Sequence, residues 1–289
     1  MNLKNEIGRK SNFAINVLFI IISALCVYPI LLIVGISFTD EDSIIRYGYS
    51  VLPKVFSTYA YRYVLNNSSE ILHAYLITII TTVTGTVFGT ASVAMYAYTI
   101  SRNGFKYKKL FTFIMFFTML FSGGMVSWYI ICSKVLYIQN TIWALILPML
   151  TSAWNVMIMR TFFQTTIPEA IIESAKLDGA NEFQIMARIV VPLSLPTVAI
   201  LVLYYAVGHW NTWFTAMLYL RDRKLYPIQL ILREILFISS TSGGASASDL
   251  YSETIKYASI IVTTLPILFI YPLIQRYFVK GMMVGAVKG

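Results

Sequence analysis

Six stretches of this chain are long and apolar enough to cross a lipid bilayer, and that constrains the fold more than any other feature. They run at about Phe13–Phe38, Ile71–Ile100, Leu110–Cys132, Asn140–Met159, Leu193–Leu220 and Ile255–Tyr277. A helix needs about 20 apolar residues to span the hydrocarbon core. The composition agrees: 57% of residues are hydrophobic and 12% charged, against about 25% charged in an ordinary globular chain. The reading is an all-α, polytopic membrane protein forming one domain over residues 1–289, with spans at about 13–38, 71–100, 110–132, 140–159, 193–220 and 255–277. Lys4, Arg9 and Lys10 precede the first run as in a signal peptide. The run is far longer than a signal's apolar region and no small-residue cleavage site follows it, so an uncleaved helix is expected.

The net charge of +9 does not point to nucleic acid, because the bases sit in loops beside the apolar runs. There they set orientation, since short cytoplasmic loops carry the excess of Lys and Arg. The loop between the second and third runs has Arg102, Lys106, Lys108 and Lys109 and no acid. The N-terminus is basic, and so is the tail, with Arg276, Lys280 and Lys288. With six spans all three lie on one side, which places both termini in the cytoplasm. Residues 39–70 and 221–254 are then outside, the latter holding a Gly/Ser-rich, flexible stretch, Ser239–Asp249. Cys26 and Cys132 lie inside apolar runs and show no metal spacing, so they read as small apolar side chains.

Pro29, Pro148, Pro196, Pro266 and Pro272 fall within or beside the runs. Such bends are tolerated where neighbours satisfy the freed carbonyls. Gly85 and Gly89 form a GxxxG pair, a spacing that lets two helix backbones approach closely.

The hydrophilic loop at residues 161–192 is too long for a simple connection. Pro168-Glu169 opens a short helix of small and apolar residues: Ala170, Ile171, Ser174, Ala175 and Leu177. Asp178-Gly179 ends it, glycine accepting the left-handed conformation that helix ends favour. Asn181 is placed to cap a second short helix, with an apolar stripe of Phe183, Ile185, Met186, Ile189 and Val190. This helix–turn–helix would offer a partly apolar knob edged by Glu169, Glu173, Lys176, Asp178, Glu182 and Arg188. Its apolar face must dock on a partner or on its own bundle.

Glu173-Ser174-Ala175-Lys176-Leu177-Asp178-Gly179, then nine residues, then Ile189-Val190-Val191-Pro192, resembles the "EAA" loop of binding-protein-dependent ABC import permeases. Ser174 stands where that pattern has its first Ala, and Val191 where it has Leu. The resemblance extends over the whole chain, to the carbohydrate branch with a maltose-type six-helix subunit, and most of all to its polysaccharide and complex-oligosaccharide group. It implies the type I importer permease fold and a loop seated on a cytoplasmic ATPase. Glu173, Ser174, Ala175, Asp178, Gly179, Ile189 and Pro192 would carry that coupling, with Glu173 in an ion pair, Gly179 at the turn and Ala175 in close contact. It also implies that the tail, residues 279–289, inserts an extended backbone at the ATPase dimer interface through Gly285, Ala286, Val287, Lys288 and Gly289. The implied partners are a second homologous permease, an ATPase dimer, an extracellular solute-binding lipoprotein and an oligosaccharide. The implied location is a bacterial cytoplasmic membrane. ATP and Mg would be bound by the ATPase, and no cofactor by this chain.

The fifth run is rich in amphipathic aromatics. Tyr204, His209, Trp210 and Asn211 are the substrate-path candidates, because sugars stack on aromatic rings while amides and hydroxyls take their OH groups. Trp and Tyr also form belts at membrane interfaces. Trp210 to Phe214, "WNTWF", resembles the family's W-N-x-F region with one extra residue. No Walker A, H-E-x-x-H or G-x-S-x-G pattern occurs, so the expectation is a pore subunit and not an enzyme. Intramembrane acids are scarce, which disfavours a proton-coupled carrier. Two alternatives stay open: a polytopic membrane enzyme or sensor whose loop packs on itself, and an ABC permease for a solute other than a sugar.

Overall fold

The computed structural model describes residues 9–66, 68–241 and 253–286. These are helical throughout, apart from loops and one isolated antiparallel bridge, Thr39 to Phe56. The helices are α1 (Arg9–Ser37), α2 (Glu41–Tyr47), α3 (Tyr59–Asn66), α4 (Ser68–Ser101), α5 (Lys108–Leu120), α6 (Gly124–Ile130), α7 (Trp143–Ile146) and α8 (Ala153–Thr166). They continue with α9 (Glu169–Leu177), α10 (Glu182–Ile185), α11 (Val191–Leu193), α12 (Leu195–Trp210), α13 (Phe214–Tyr219), α14 (Ile228–Thr241) and α15 (Glu253–Ala286).

Two single helices, Ser11–Ser37 and Ser69–Ser101, are long and apolar enough to cross a membrane among the described residues. Three further helix pairs meet the same length and composition only when taken together, and each is bent at a short break. Lys108–Leu120 meets Gly124–Val135 at 117°, Trp143–Met149 meets Ala153–Thr166 at 50°, and Glu182–Leu193 meets Leu195–Trp210 at 88°. The stretches read as unbroken over 110–132, 140–159 and 193–220 therefore each contain a joint. The causes are local. Gly124 takes φ +78° at the first, a conformation open to glycine. At the second, Ser152 caps the helix that follows, its side chain accepting from Asn155 N; at the third, Pro196 stands in the first turn of Leu195–Trp210, where a missing N–H costs nothing. The fifth run breaks again after Trp210, with Asn211 as C-cap, before α13. The last helix runs through Gly285 and Ala286, where an extended tail is expected from the sequence. Val287, Lys288 and Gly289, and residues 242–249 of the Gly/Ser-rich stretch, lie outside the described residues.

The chain forms two compact units, Met1–Ser68 with Glu234–Thr264, and Ser69–Arg233 with Leu265–Gly289. In the first, Phe38 stacks on Phe56 and Tyr61 at ring distances of 5.5 and 4.6 Å. The Glu41 carboxylate accepts from the backbone N–H groups of Glu253 and Thr254 at 2.9 and 3.1 Å. It thereby closes the N-terminus of α15, where orphan donors and the helix dipole favour an anion.

The second unit holds a core built from α4, α8, α9 and α12 with the turns between them. It includes Val93, Ala97, Met159, Phe163, Leu201 and Tyr205. Gly85 and Gly89 face α12, but the space they leave is filled by rings and not by a second backbone. A Cβ on Gly85 would lie 2.4 Å from His209 Nε2, and one on Gly89 2.8 Å from Tyr205 Cε1. The GxxxG spacing admits two side chains one turn apart on α12.

Candidate functional site

The segment from Pro168 to Leu193 is the best-defined polar feature of the second unit. Pro168 is the N-cap of α9, extended at φ −61° and ψ 135°. The helix closes in a Schellman turn: the Ala180 N–H donates to Ala175 O and the Gly179 N–H to Lys176 O, both at 3.0 Å, with Gly179 at φ +83°. Asn181 then starts α10 with a capping box. Its Oδ1 accepts from Gln184 N at 2.8 Å and its N–H donates to Gln184 Oε1 at 3.0 Å. Met186–Val190 follows as a π-turn, and Pro192, which can donate no N–H, stands in the short α11 just beyond it.

The two faces of this element differ. Ile172, Ala175, Ile185 and Val190 are buried in the core formed with α4, α8 and α12. Ala175 is thus committed to its own chain, and its Cβ is not part of an outward contact surface. The turn also places Ile189 half-buried and Phe183 outside, so the stripe expected along Phe183–Val190 is only partly a buried face. Outward are Ser174, Asp178 and Gly179, together with Leu177 at 89% exposure, Phe183 at 68% and Ile171 at 40%. The loop therefore packs on its own bundle and still presents a bare, partly apolar surface.

Its charges sort in the same way. Glu182 pairs with Lys176 at 2.6 Å and accepts from the Tyr98 hydroxyl. Those two bonds, the Lys176 one foremost, hold its carboxyl below the usual carboxylate range. Glu169 meets Arg102 at 3.9 Å and the Asn103 amide at 3.5 Å. Glu173 and Asp178 are exposed, and no ion pair or side-chain hydrogen bond engages their carboxylates among the described residues. Beneath the loop the last carbonyls of α4 are met by donors: Arg160 Nε on Ile100 O, and Gln164 Nε2 and Lys108 Nζ on Ser101 O. The loop element itself meets this end of α4 through Glu182 on Tyr98 and Glu169 on Arg102.

The four substrate-path candidates on α12 do not converge. His209 and Trp210 are 1% and 3% exposed and face the core. Tyr204 is 62% exposed, and Asn211, seven residues on, is exposed on the same face, its amide donating to Val207 O at 2.9 Å. The sequence reading misses Arg233, whose guanidinium lies 4.4 Å from the centre of the Trp213 ring. It stands well beyond the end of α12 in the chain, so no local pattern links it to that helix.

Comparison with known proteins closes the question of family. The model of the binding-protein-dependent transport system inner membrane component matches residues 93–284. The polygalacturonan/rhamnogalacturonan transport system permease protein YtcP of Bacillus subtilis (strain 168) is 40% identical over 94% of this chain and 96% of its own. Protein LplC of the same organism is 38% identical over 95% and 94%. A solved chain from a bacterial ABC transporter involved in the import of the acidic polysaccharide alginate superposes with a TM-score of 0.84 at 28% identity, covering 96% of this chain and all (100%) of that one. The chain belongs to the inner membrane components of binding-protein-dependent transport systems, and is an ABC importer permease of that fold.

Proposed function

We propose that this permease forms half of a pore for an acidic oligosaccharide, with a second homologous permease as the other half. A cytoplasmic ATPase dimer drives it, binding ATP and Mg on its own chains, and an extracellular binding protein delivers the sugar. The pass count behind this reading is six: α1, α4, the broken pairs α5–α6 and α7–α8, α12 with α13, and α15, with α9 to α11 outside the membrane and both termini inside because the basic loop 102–109 faces the cytoplasm. The observation that carries the reading is the two-faced loop. Ile172, Ala175, Ile185 and Val190 anchor it, which leaves Ile171, Leu177 and Phe183 bare and Glu173 without an ion pair among the described residues. A rigid, protruding element of that kind transmits force when a motor protein grips it. Nucleotide binding then shifts the pore only by the difference in its contacts with the two states.

The acidic cargo is supported by the names of the relatives and by the chemistry of the second unit. Tyr204 and Asn211 share the open face of α12. Arg233 over Trp213 joins an aromatic face to a cation, with no carboxylate on it among the described residues. A uronate offers the matching apolar ring face and carboxylate. The test is ATP-dependent uptake into vesicles carrying the assembled transporter and its binding protein. Oligogalacturonate accumulating well above its neutral, methyl-esterified form supports the reading. Equal uptake of both removes the acidic assignment, and failure of an ATPase to co-purify removes the importer assignment.

A further inference from the structure

Two cavities meet at the C-terminal end of α4. One, of about 360 Å³, is lined mainly by Met95, Tyr96, Ile100, Phe105 and Phe111. It lies between α4 and α5, which are tied there by the Tyr96 hydroxyl donating to Phe111 O at 3.2 Å. It opens at the surface, with Met95 48% and Phe111 38% exposed. The other, of about 310 Å³, has a charged lining that includes Arg102, Glu169, Lys176 and Glu182. Thr99 and Phe105 line both, so the apolar groove and the charged chamber are adjacent.

The charges in that chamber are not balanced in use. Lys176 and Glu182 satisfy each other. Arg102 is 8% exposed, and its Nη1 makes no hydrogen bond among the described residues. Its Nε donates to Ser101 Oγ at 3.1 Å, its guanidinium lies 5.1 Å from the centre of the Tyr98 ring, and Glu169 faces the same Nη1 at 3.9 Å, an ion pair beyond hydrogen-bond distance. A buried guanidinium with a free N–H is a costly arrangement unless an anion completes it. Lys106, in the loop after α4, and Lys109, in the first turn of α5, are exposed and bring positive charge close in the chain to Phe105, which lines both cavities. An apolar groove beside a buried cation whose Nη1 lacks a hydrogen bond matches an amphiphile with a phosphate at the end of an alkyl chain. Arginine suits phosphate in particular, through its fixed fork of donors.

We infer that the two cavities are one phospholipid site, with an acyl chain in the α4–α5 groove and the phosphate on Arg102, an anionic head group being preferred. In the orientation proposed above, the lipid belongs to the cytoplasmic leaflet and sits directly under the coupling loop. Binding itself can be read without any transport measurement, so the site and the importer assignment fail separately.

The experiment is native mass spectrometry of the purified transporter complex in detergent. The probes are dioleoyl phosphatidylglycerol, dioleoyl phosphatidylcholine and inorganic phosphate. The wild-type complex is expected to retain phosphatidylglycerol in preference to phosphatidylcholine. Arg102→Gln should cut its occupancy about tenfold, the loss of one charge-assisted contact. Thr99→Trp, at an exposed position that lines both cavities, should do the same while the complex stays assembled. Lys106→Gln with Lys109→Gln, both on the surface, should lower occupancy several-fold even if Arg102→Gln fails to assemble. Undiminished phosphatidylglycerol in these variants overturns the site. Inorganic phosphate displacing phosphatidylglycerol at equal concentration overturns the lipid assignment in favour of a soluble anion.

Discussion

Gly85 and His209 are packed so closely that any side chain on the first would enter the ring of the second, with a Cβ at 2.4 Å from Nε2. His209 is almost wholly buried, so the imidazole has little room to retreat. Overpacking of this kind costs about 1–3 kcal/mol. Gly85→Ala is expected to lower the melting temperature of the detergent-solubilised transporter. In a His209→Ala background the same glycine substitution should cost much less, because the ring atoms that the new methyl group would meet are gone, and the cost of the truncation itself cancels in the comparison. An equal loss from Gly85→Ala in both backgrounds would show that the ring is not what limits the approach of α4 to α12.

At Gly179 the restriction is conformational. No atom lies within 4 Å of a Cβ built there, yet φ is +83°. A substitution therefore meets backbone strain of about 1–2 kcal/mol and no collision. Asn tolerates the left-handed region better than Ala, so uptake should fall in the order wild type, Gly179→Asn, Gly179→Ala. Uptake that instead tracks side-chain size, with Ala milder than Asn, would mean that a partner's surface and not the turn sets the constraint.

The difference between these two glycines shows what the sequence makes legible. The α9–α10 turn is written locally: Pro168, Asp178-Gly179 and Asn181 each act on the backbone within a few residues, so helix ends, turn and cap can be read in order. The role of Gly85 depends on a residue far along the chain, His209, and spacing alone does not say whether a backbone or a ring fills the gap. The breaks near 121–124, 150 and 194 are a middle case. Their Gly and Pro residues are visible, but a membrane helix absorbs such residues when its neighbours satisfy the freed carbonyls. The inward turn of Ala175 has the same origin, since several small or apolar positions on α9 can face the core and only packing selects among them. Arg233 finds Trp213 through tertiary structure alone.

Acid should loosen the base of the loop. Glu182 is held below the ordinary carboxyl value of 4.5 by its bonds to Lys176 and Tyr98. Its stabilisation is complete above that value and is lost as pH falls through the lowered one. Lys176 and Glu182 are both about half exposed, so solvent screening keeps the effect under about 1 kcal/mol. Thermal unfolding followed from about pH 6 down to about pH 3, across the glutamate range, should lose a component in the wild type that Glu182→Gln lacks throughout. Parallel curves for the two proteins would remove Glu182 from the account of acid sensitivity.

The two faces of α9 give the sharpest contrast. Ile172 and Leu177 are both apolar and sit on one short helix. Ile172 is 1% exposed and Leu177 89%. A charge at Ile172 is buried against the core and has no partner, a change that costs several kcal/mol. A charge at Leu177 meets only water in the isolated permease and should alter its stability by less than about 0.5 kcal/mol. If the outward face seats in a groove on the ATPase, Leu177→Asp must instead desolvate that charge when the complex forms. Ile172→Asp is therefore expected to reduce the amount of folded permease in the membrane. Leu177→Asp should leave that amount unchanged while the ATPase is lost on purification and uptake ceases. Reversing the free carboxylate, Glu173→Lys, should give a milder version of the Leu177 result, with binding that recovers as salt is raised and like-charge repulsion is screened. Full ATPase recovery with Leu177→Asp would mean that the bare face of α9 is not the surface the motor holds.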